Sequence, residues 1–372
     1  MMEKEVKKSN KIKVAISHGD LNGVGYEVIL KTFNDPRMFD SCTPVVYGLS
    51  KVGSYHKKTI PNINLDFNLI KNCVSANPKR LNIINITNQD VKVELGQSTK
   101  EAGEMSFLAL EKATQDIAKG ACDVLVTAPI NKDNIQSEQF DYPGHTEYLA
   151  EKFAEEEELM ILVSRALRVA VVTGHIPVNK VAETINKEMI IRKLRIFEKS
   201  LRRDFGIRKP RIAVLGLNPH AGDNGLLGSE ENEIIIPAID EAKEHGILAF
   251  GPFPADGFFG SDDFLKFDGI LAMYHDQGLT PFKIISFEDG VNFTAGLSIV
   301  RTSPDHGTAY EIAGKNKAKP DSMRAAVFMA VDIFKRRQEY DELHANPLKQ
   351  QRQQRGRRDI SVDELPEVVE ES

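Results

Sequence analysis

The sequence predicts an α/β protein of two domains, on three observations. Apolar, strand-like runs alternate with amphipathic helical stretches; the first run passes through a glycine-rich turn into a helix; and 372 residues exceed one ordinary core. Three of the apolar runs also end in a histidine: Leu167 to His175, Arg211 to His220 and Gly269 to His275. Ligand chemistry in α/β proteins gathers at strand ends. The chain has 9 histidines, so three at one structural address point to a site there.

Lys11 to Ser17 is a short β-like run, and His18 to Gly25 turns it into a helical stretch from Tyr26 to Thr32. The spacing Gly-x-x-x-Gly-x-Gly over Gly19, Gly23 and Gly25 is neither the dinucleotide nor the P-loop fingerprint. A tight turn needing glycine dihedrals and an anion cradle at the helix start account for it equally well. Pro44 to Gly48 reads as a second strand, and Leu81 to Ile86 with Val91 to Leu95 as a pair of strands near an edge. Ser98-Thr-Lys-Glu101 is a capping box for a helix whose Ala102, Met105, Ala109, Ala113 and Ile117 recur at helical spacing until Gly120. Cys122 to Ala128 is the next buried strand. Pro143 and Gly144 then open a helix reaching to about Glu157, which puts His145 and Thr146 where backbone N–H groups favour anions.

A long amphipathic helix is expected from Asn179 to Phe205, with Ile190, Leu194, Phe197 and Leu201 as its core stripe. Glu230 to Glu244 is another helix, Leu248 to Asp256 brings Asp256 to a fourth strand end, and Ser322 to Arg337 is the last amphipathic helix. Lys349 to Arg358 carries five basic residues and Asp359 to Glu371 six acidic ones without apolar period, which reads as a solvated, disordered appendage.

A formal charge of −6 and a pI near 5.9 argue against nucleic acid as partner, since phosphate-backbone binders carry a basic face; a small molecule is the expected ligand. No apolar stretch has membrane-spanning length and the N-terminal residues lack the apolar core of a signal peptide, so a cytoplasmic location without membrane partner is expected. Cys42, Cys73 and Cys122 lie far apart, which supports neither a disulfide framework nor a thiolate zinc site.

A catalytic metal site takes three protein ligands and keeps a position open. His175, His220 and His275 supply the ligand type, with Asp256 as a fourth ligand or nearby base. Satisfied structural histidines explain the same residues about as well. Lys283, Asn292 and Arg301 place two cations and an amide within one stretch, a recipe for holding phosphate; ordinary surface charge is the competing reading.

Six stretches, in order, resemble the 4-hydroxythreonine-4-phosphate dehydrogenase family of pyridoxal 5'-phosphate (vitamin B6) biosynthesis. They are Gly144-His-Thr-Glu147, Val172 to Pro177, Leu217 to Gly222, Gly251 to Asp256, Met273 to Leu279 and Arg301 to Thr308. The resemblance covers roughly Lys11 to Lys335 and departs from the family in its first loop, where Gly19-Asp-Leu-Asn-Gly-Val-Gly-Tyr-Glu27 lacks two prolines.

That resemblance implies two α/β/α domains of the isocitrate/isopropylmalate dehydrogenase-like type with the active site in the interdomain cleft. Residues 1–135 with 300–345 would form one domain, 136–299 the other, and 346–372 the tail. It also implies a homodimer whose active site draws on both subunits, and NAD- or NADP-dependent oxidation of the C3 alcohol of 4-phosphooxy-L-threonine. The 3-keto acid then loses CO2 to give 3-amino-2-oxopropyl phosphate. His175, His220 and His275 become the expected metal ligands, His145, Thr146, Lys283, Asn292 and Arg301 the substrate contacts, and Asp305, His306, Gly307 and Thr308 the cofactor loop. Three imidazoles favour zinc or cobalt over magnesium. Asp256 and His145 are the candidate bases. The nearest rival is a dehydrogenase of the same fold acting on threonate or erythronate 4-phosphate; a metal-dependent phosphohydrolase is a more distant one.

Overall fold

The apolar runs pair into one mixed sheet. The structure, a computed structural model, describes residues 11–286 and 288–346; the charged stretch from 347 onward lies outside the described residues. The twelve strands are β1 (Lys13–Ser17), β2 (Thr43–Gly48), β3 (Phe67–Leu69), β4 (Leu81–Asn85), β5 (Val124–Thr127), β6 (Ala154–Val163), β7 (Arg168–Thr173), β8 (Arg211–Leu215), β9 (Leu248–Phe253), β10 (Gly269–Tyr274), β11 (Val291–Leu297) and β12 (Arg301–Pro304). Their order across the sheet is β3-β4-β2-β1-β5-β12-β11-β6-β7-β10-β8-β9. Strands from β3 to β12 run parallel to one another, as do those from β7 to β9. Antiparallel pairing of β11 with β12 and β6, and of β6 with β7, joins the two halves.

Side chains alternate between faces along a strand, and that alternation decides where a cleft can form. On one face Val14, Ile16, Val126, Phe293, Ile161, Ala170, Leu271 and Val214 belong to a single core running under both halves, covered by the helices Gly25–Phe33, Lys187–Arg203 and Asp321–His344. On the other face the core is split. Ala15, Val45 and Leu125 pack under the helix Lys100–Ala118, whereas Val169, Ala213 and Ala272 pack separately with Leu279 and Phe282 of the helix His275–Ile285. Between the two clusters, β5, β12 and β11 present Thr127, Arg301, Ser303, Asn292 and Thr294 on that same face; the register pairs Asn292 with both Ser303 and Leu162. Phe140, Tyr148 and Leu149 belong to the first half's core, so the chain returns to that half after residue 136 before β6 begins.

Several local expectations are corrected. Residues 91–94 form no strand. The cap of the helix Lys100–Ala118 is Thr99, which accepts from Ala102 N at 3.2 Å, not Ser98. The helix opened by His145 stops at Phe153 and β6 follows at once. Its glutamates suit a helix, but pairing with β11 and β7 overrides that propensity. The expected long helix is two, Val178–Thr184 and Lys187–Arg203, divided where Asn186 caps the second by accepting from Met189 N at 2.9 Å. Gly278 sits inside the helix His275–Ile285, where a Cβ would meet Val169 Cγ1 at 2.8 Å.

The halves are also tied by charge. Arg337 Nε donates to Asp204 at 2.6 Å and its Nη1 to Leu297 O and Ile299 O at 3.1 and 3.0 Å, with Arg337 and Asp204 8% and 3% exposed. Arg337→Ala leaves Asp204 buried without its cation, and a loss of about 3–5 kcal/mol is expected in urea unfolding at neutral pH.

Candidate functional site

The split in the core is a cleft of about 270 Å³. His145, Thr146, His175, His275, Lys283, Asn292, Arg301, Asp305, His306 and Gly307 all line it, so ten residues singled out from the sequence meet in one place. His220, Asp256 and Thr308 do not line it. Thr127, Lys132, Glu147 and Ser303 do, and sequence reasoning missed them as site residues. One of these was within reach, because strict alternation along Arg301-Thr-Ser303 puts Ser303 on the face of Arg301; Thr127 joins that face only through the register that pairs Arg301 with Leu125.

Arg301 opens β12 and is 2% exposed. Its Nε and Nη2 donate to Thr127 Oγ1 at 3.2 and 2.8 Å, and its Nη1 to Thr294 Oγ1 at 3.1 Å. Among the described residues no carboxylate pairs with it directly. Burial therefore draws its pKa down to about 10, opposed only by the charge of Glu147. Asn292 Oδ1 and His145 Nε2 are sealed from solvent with no partner. Burial and the neighbouring Arg301 and Lys132 charges hold the His145 imidazole well below its ordinary pKa, so it is neutral. Lys283, on the helix His275–Ile285, reaches Asp305 at 3.7 Å, and burial raises the Asp305 carboxyl above its usual range against that attraction. A buried cation and unpartnered polar atoms of both kinds are costly unless a ligand completes them.

The histidine pair follows from strand order. β7 and β10 are parallel neighbours with Thr173 opposite Tyr274, so the residues just beyond them adjoin, and the His175 and His275 rings lie 5.7 Å apart. His175 Nδ1 is 3.6 Å from Glu147 Oε1, and its Nε2 is 3.5 Å from Lys132 Nζ. His275 Nδ1 is 2.6 Å from Asp276 Oδ1. β8 flanks β10 on the other side but ends at Leu215. His220 lies farther on, exposed, in a left-handed run with φ of 55°, 51°, 42° and 56° at His220, Ala221, Asp223 and Asn224. Such conformations are strained in residues other than glycine. Glu231 braces the run by accepting from Leu217 N and Asn218 N, both at 2.7 Å. Among the described residues no three His, Cys, Asp or Glu side chains of this one chain converge as a metal site. Asp256 opens the short helix Ala255–Phe259 after the edge strand β9 and is exposed.

The residues expected to form a cofactor loop border the first glycine turn. Thr308 O accepts from Val24 N at 3.0 Å, and Asp20 accepts from Tyr310 OH and Asn134 Nδ2 at 2.7 and 2.8 Å. A Cβ on Gly19 would meet Pro129 O at 2.3 Å, and one on Gly25 would meet His18 O at 2.2 Å, so packing alone requires those glycines. His306 Nε2 is buried and unpartnered, and Gly307 has open space where a side chain would stand.

A mixed α/β sheet whose cleft combines an imidazole pair with a buried, unpaired cation has the features of an enzyme for small anionic substrates. The comparisons agree. The profile of the pyridoxal phosphate biosynthetic protein PdxA matches residues 40–330. The chain is 55% identical over 343 residues to 4-hydroxythreonine-4-phosphate dehydrogenase of Bacteroides thetaiotaomicron, covering 92% of this chain and 94% of that one. It is 39% identical to the enzyme of that name from Aquifex aeolicus, covering 87% and 98%. The crystal structure of the enzyme of that name from Klebsiella pneumoniae superposes with a TM-score of 0.76 at 34% identity, over 88% and 98% of the two chains. The chain belongs to the PdxA family. The fold alone is shared with a terephthalate 1,2-cis-dihydrodiol dehydrogenase from Burkholderia xenovorans, at 23% identity and a TM-score of 0.57.

The depressed pKa of His145 sets a pH dependence. Its folded value lies below the unfolded one, so the folded chain binds fewer protons and this stability term, present above about pH 6.5, is lost as pH falls below it. Between pH 7.5 and 5.5 the wild type is expected to lose more stability in urea unfolding than His145→Asn does.

Proposed function

We propose that this chain is an NAD(P)-dependent oxidoreductase of pyridoxal 5'-phosphate biosynthesis that oxidises the C3 alcohol of 4-phosphooxy-L-threonine. The 3-keto acid loses CO2 to give 3-amino-2-oxopropyl phosphate. The observation that carries the reading is Arg301, a buried guanidinium whose only direct partners are hydroxyls, beside Lys283, Asn292 and the helix start at His145 and Thr146. A phosphate there would gain the charge-assisted bonds that Arg301 lacks. The neutral His145, with its Nε2 unpartnered, is the favoured acceptor for the alcohol proton as hydride leaves for the nicotinamide. Asp256 lies outside the cleft and is the weaker candidate. Asp305, His306 and Gly307 at the cleft wall, with Thr308 behind them, are the proposed cofactor loop, and the unpartnered His306 Nε2 fits a polar ligand there.

Imidazoles suit a divalent zinc, cobalt or magnesium ion to different degrees, and the adjoining His175 and His275 fit two of three ligands. His220 stands apart, so we propose that it reaches the corresponding site of a second copy in a cytoplasmic homodimer. Exposed Val178, Leu226, Leu227, Ile236, Ile284 and Ile285 lie on the loops and helices around β7, β8 and β10, as a subunit interface there requires. When bound, the ion would supply Lewis-acid polarisation of the alcohol oxygen. Among the described residues no helix is long and apolar enough to cross a membrane. We keep the two-domain division as a proposal and move its boundary: the packing of Tyr148 and Leu149 with the first half's core supports placing residues 136–153 in the first domain.

NAD(P)H absorbance should rise with 4-phosphooxy-L-threonine and vanish with a chelator. A signal only with threonate or erythronate 4-phosphate would overturn the substrate while leaving the site. Arg301→Met is expected to lower kcat/KM on the order of 100-fold or more, the usual cost of truncating a buried charge pair.

A further inference from the structure

Among the described residues Glu147 is the one carboxylate that pairs with His175, and its place at the start of a helix is built rather than incidental. It sits in the first turn of the helix His145–Phe153, where an anion is favoured, and its side chain is 30% exposed. His175 stands beyond the end of β7, and among the described residues its ring has two polar neighbours. Glu147 Oε1 faces Nδ1 at 3.6 Å, and Lys132 Nζ faces Nε2 at 3.5 Å. An ammonium only donates, so its place beside Nε2 favours the lone pair there; a carboxylate only accepts, so its place beside Nδ1 favours the proton there. Two side chains from different segments thus select the same tautomer, with the lone pair directed to where a cation already stands.

We propose that Glu147 is a positioning residue that holds His175 in the Nδ1–H tautomer with Nε2 presented to the cleft, and so sets the affinity of the cleft for a divalent cation. This rests on the metal reading above. Carboxylates behind ligating histidines act in this way by fixing ring and tautomer, and their loss typically weakens metal binding 10- to 100-fold.

The test is a Co(II) titration of the full-length protein without substrate or nucleotide, read by visible absorption and calorimetry. Wild type, His175→Ala, Glu147→Ala and Glu147→Gln are compared, with thermal melts to confirm that each is folded. Binding by wild type, its loss in His175→Ala, a 10- to 100-fold weakening in Glu147→Ala and substantial recovery in Glu147→Gln, whose amide oxygen still accepts from Nδ1–H, are expected. Wild-type affinity in a folded Glu147→Ala would overturn the positioning role and spare the metal reading. Failure of wild type itself to bind would overturn both.

Discussion

The seam where β12 meets β5 and β11 carries a guanidinium out of water. Arg301 is held there by three hydrogen bonds to Thr127 and Thr294, which satisfy donors but not charge. Hydroxyls orient the fork and leave its cation uncompensated, and a buried charge in that condition is retained at a cost in stability. The neighbouring groups share the condition: His145 is kept neutral by burial and by the same cation, and Asn292 Oδ1 has no donor among the described residues. A phosphorylated ligand relieves several of these costs together.

The cleft exists because the two faces of the sheet are treated differently. One face is covered by a single continuous core, which makes the halves one body; the other is covered by two clusters that stop short of each other. β11 alternates apolar and polar residues, and β12 turns Arg301 and Ser303 to the same face as its polar ones, so the strands that bind the halves together also line the gap. Stability and site are therefore opposite faces of the same three strands. The glycine turn after β1 acts behind this wall. Its Val24 and Asp20 hold the segment of Thr308 and Tyr310, and its own glycines are explained by backbone approach.

Strand adjacency explains the histidines unequally. β7 and β10 are parallel neighbours, so His175 and His275 meet without further help; β8 ends too early for His220 to join them, and the chain instead holds it outward in a strained turn braced by Glu231. An exposed ligand-type residue at the end of a strained loop suits delivery to another subunit better than closure of its own cleft.

Much of this was readable in one dimension. Apolar runs marked the buried strands, strand ends marked His175 and His275, and the proximity of Lys283, Asn292 and Arg301 in sequence marked the anion end. Resemblance to a family added the cofactor loop and the substrate. Errors clustered where local preference and tertiary pairing conflict: the glutamates of β6 favour a helix until β11 and β7 pair with them, and the helix break at Asn186 hides inside an unbroken amphipathic pattern. Lys132 and Glu147 carried no signal, since a lone lysine or glutamate is usually solvated. By itself the sequence determined which residues alternate, which are buried and which chemistry is on offer, because those follow from side chains a few positions apart. Only the tertiary structure decided that Glu147 and Lys132 face opposite nitrogens of one imidazole and that His220 stands apart. Those relations depend on strand order and on where each strand ends, which are set by packing between segments remote in the chain.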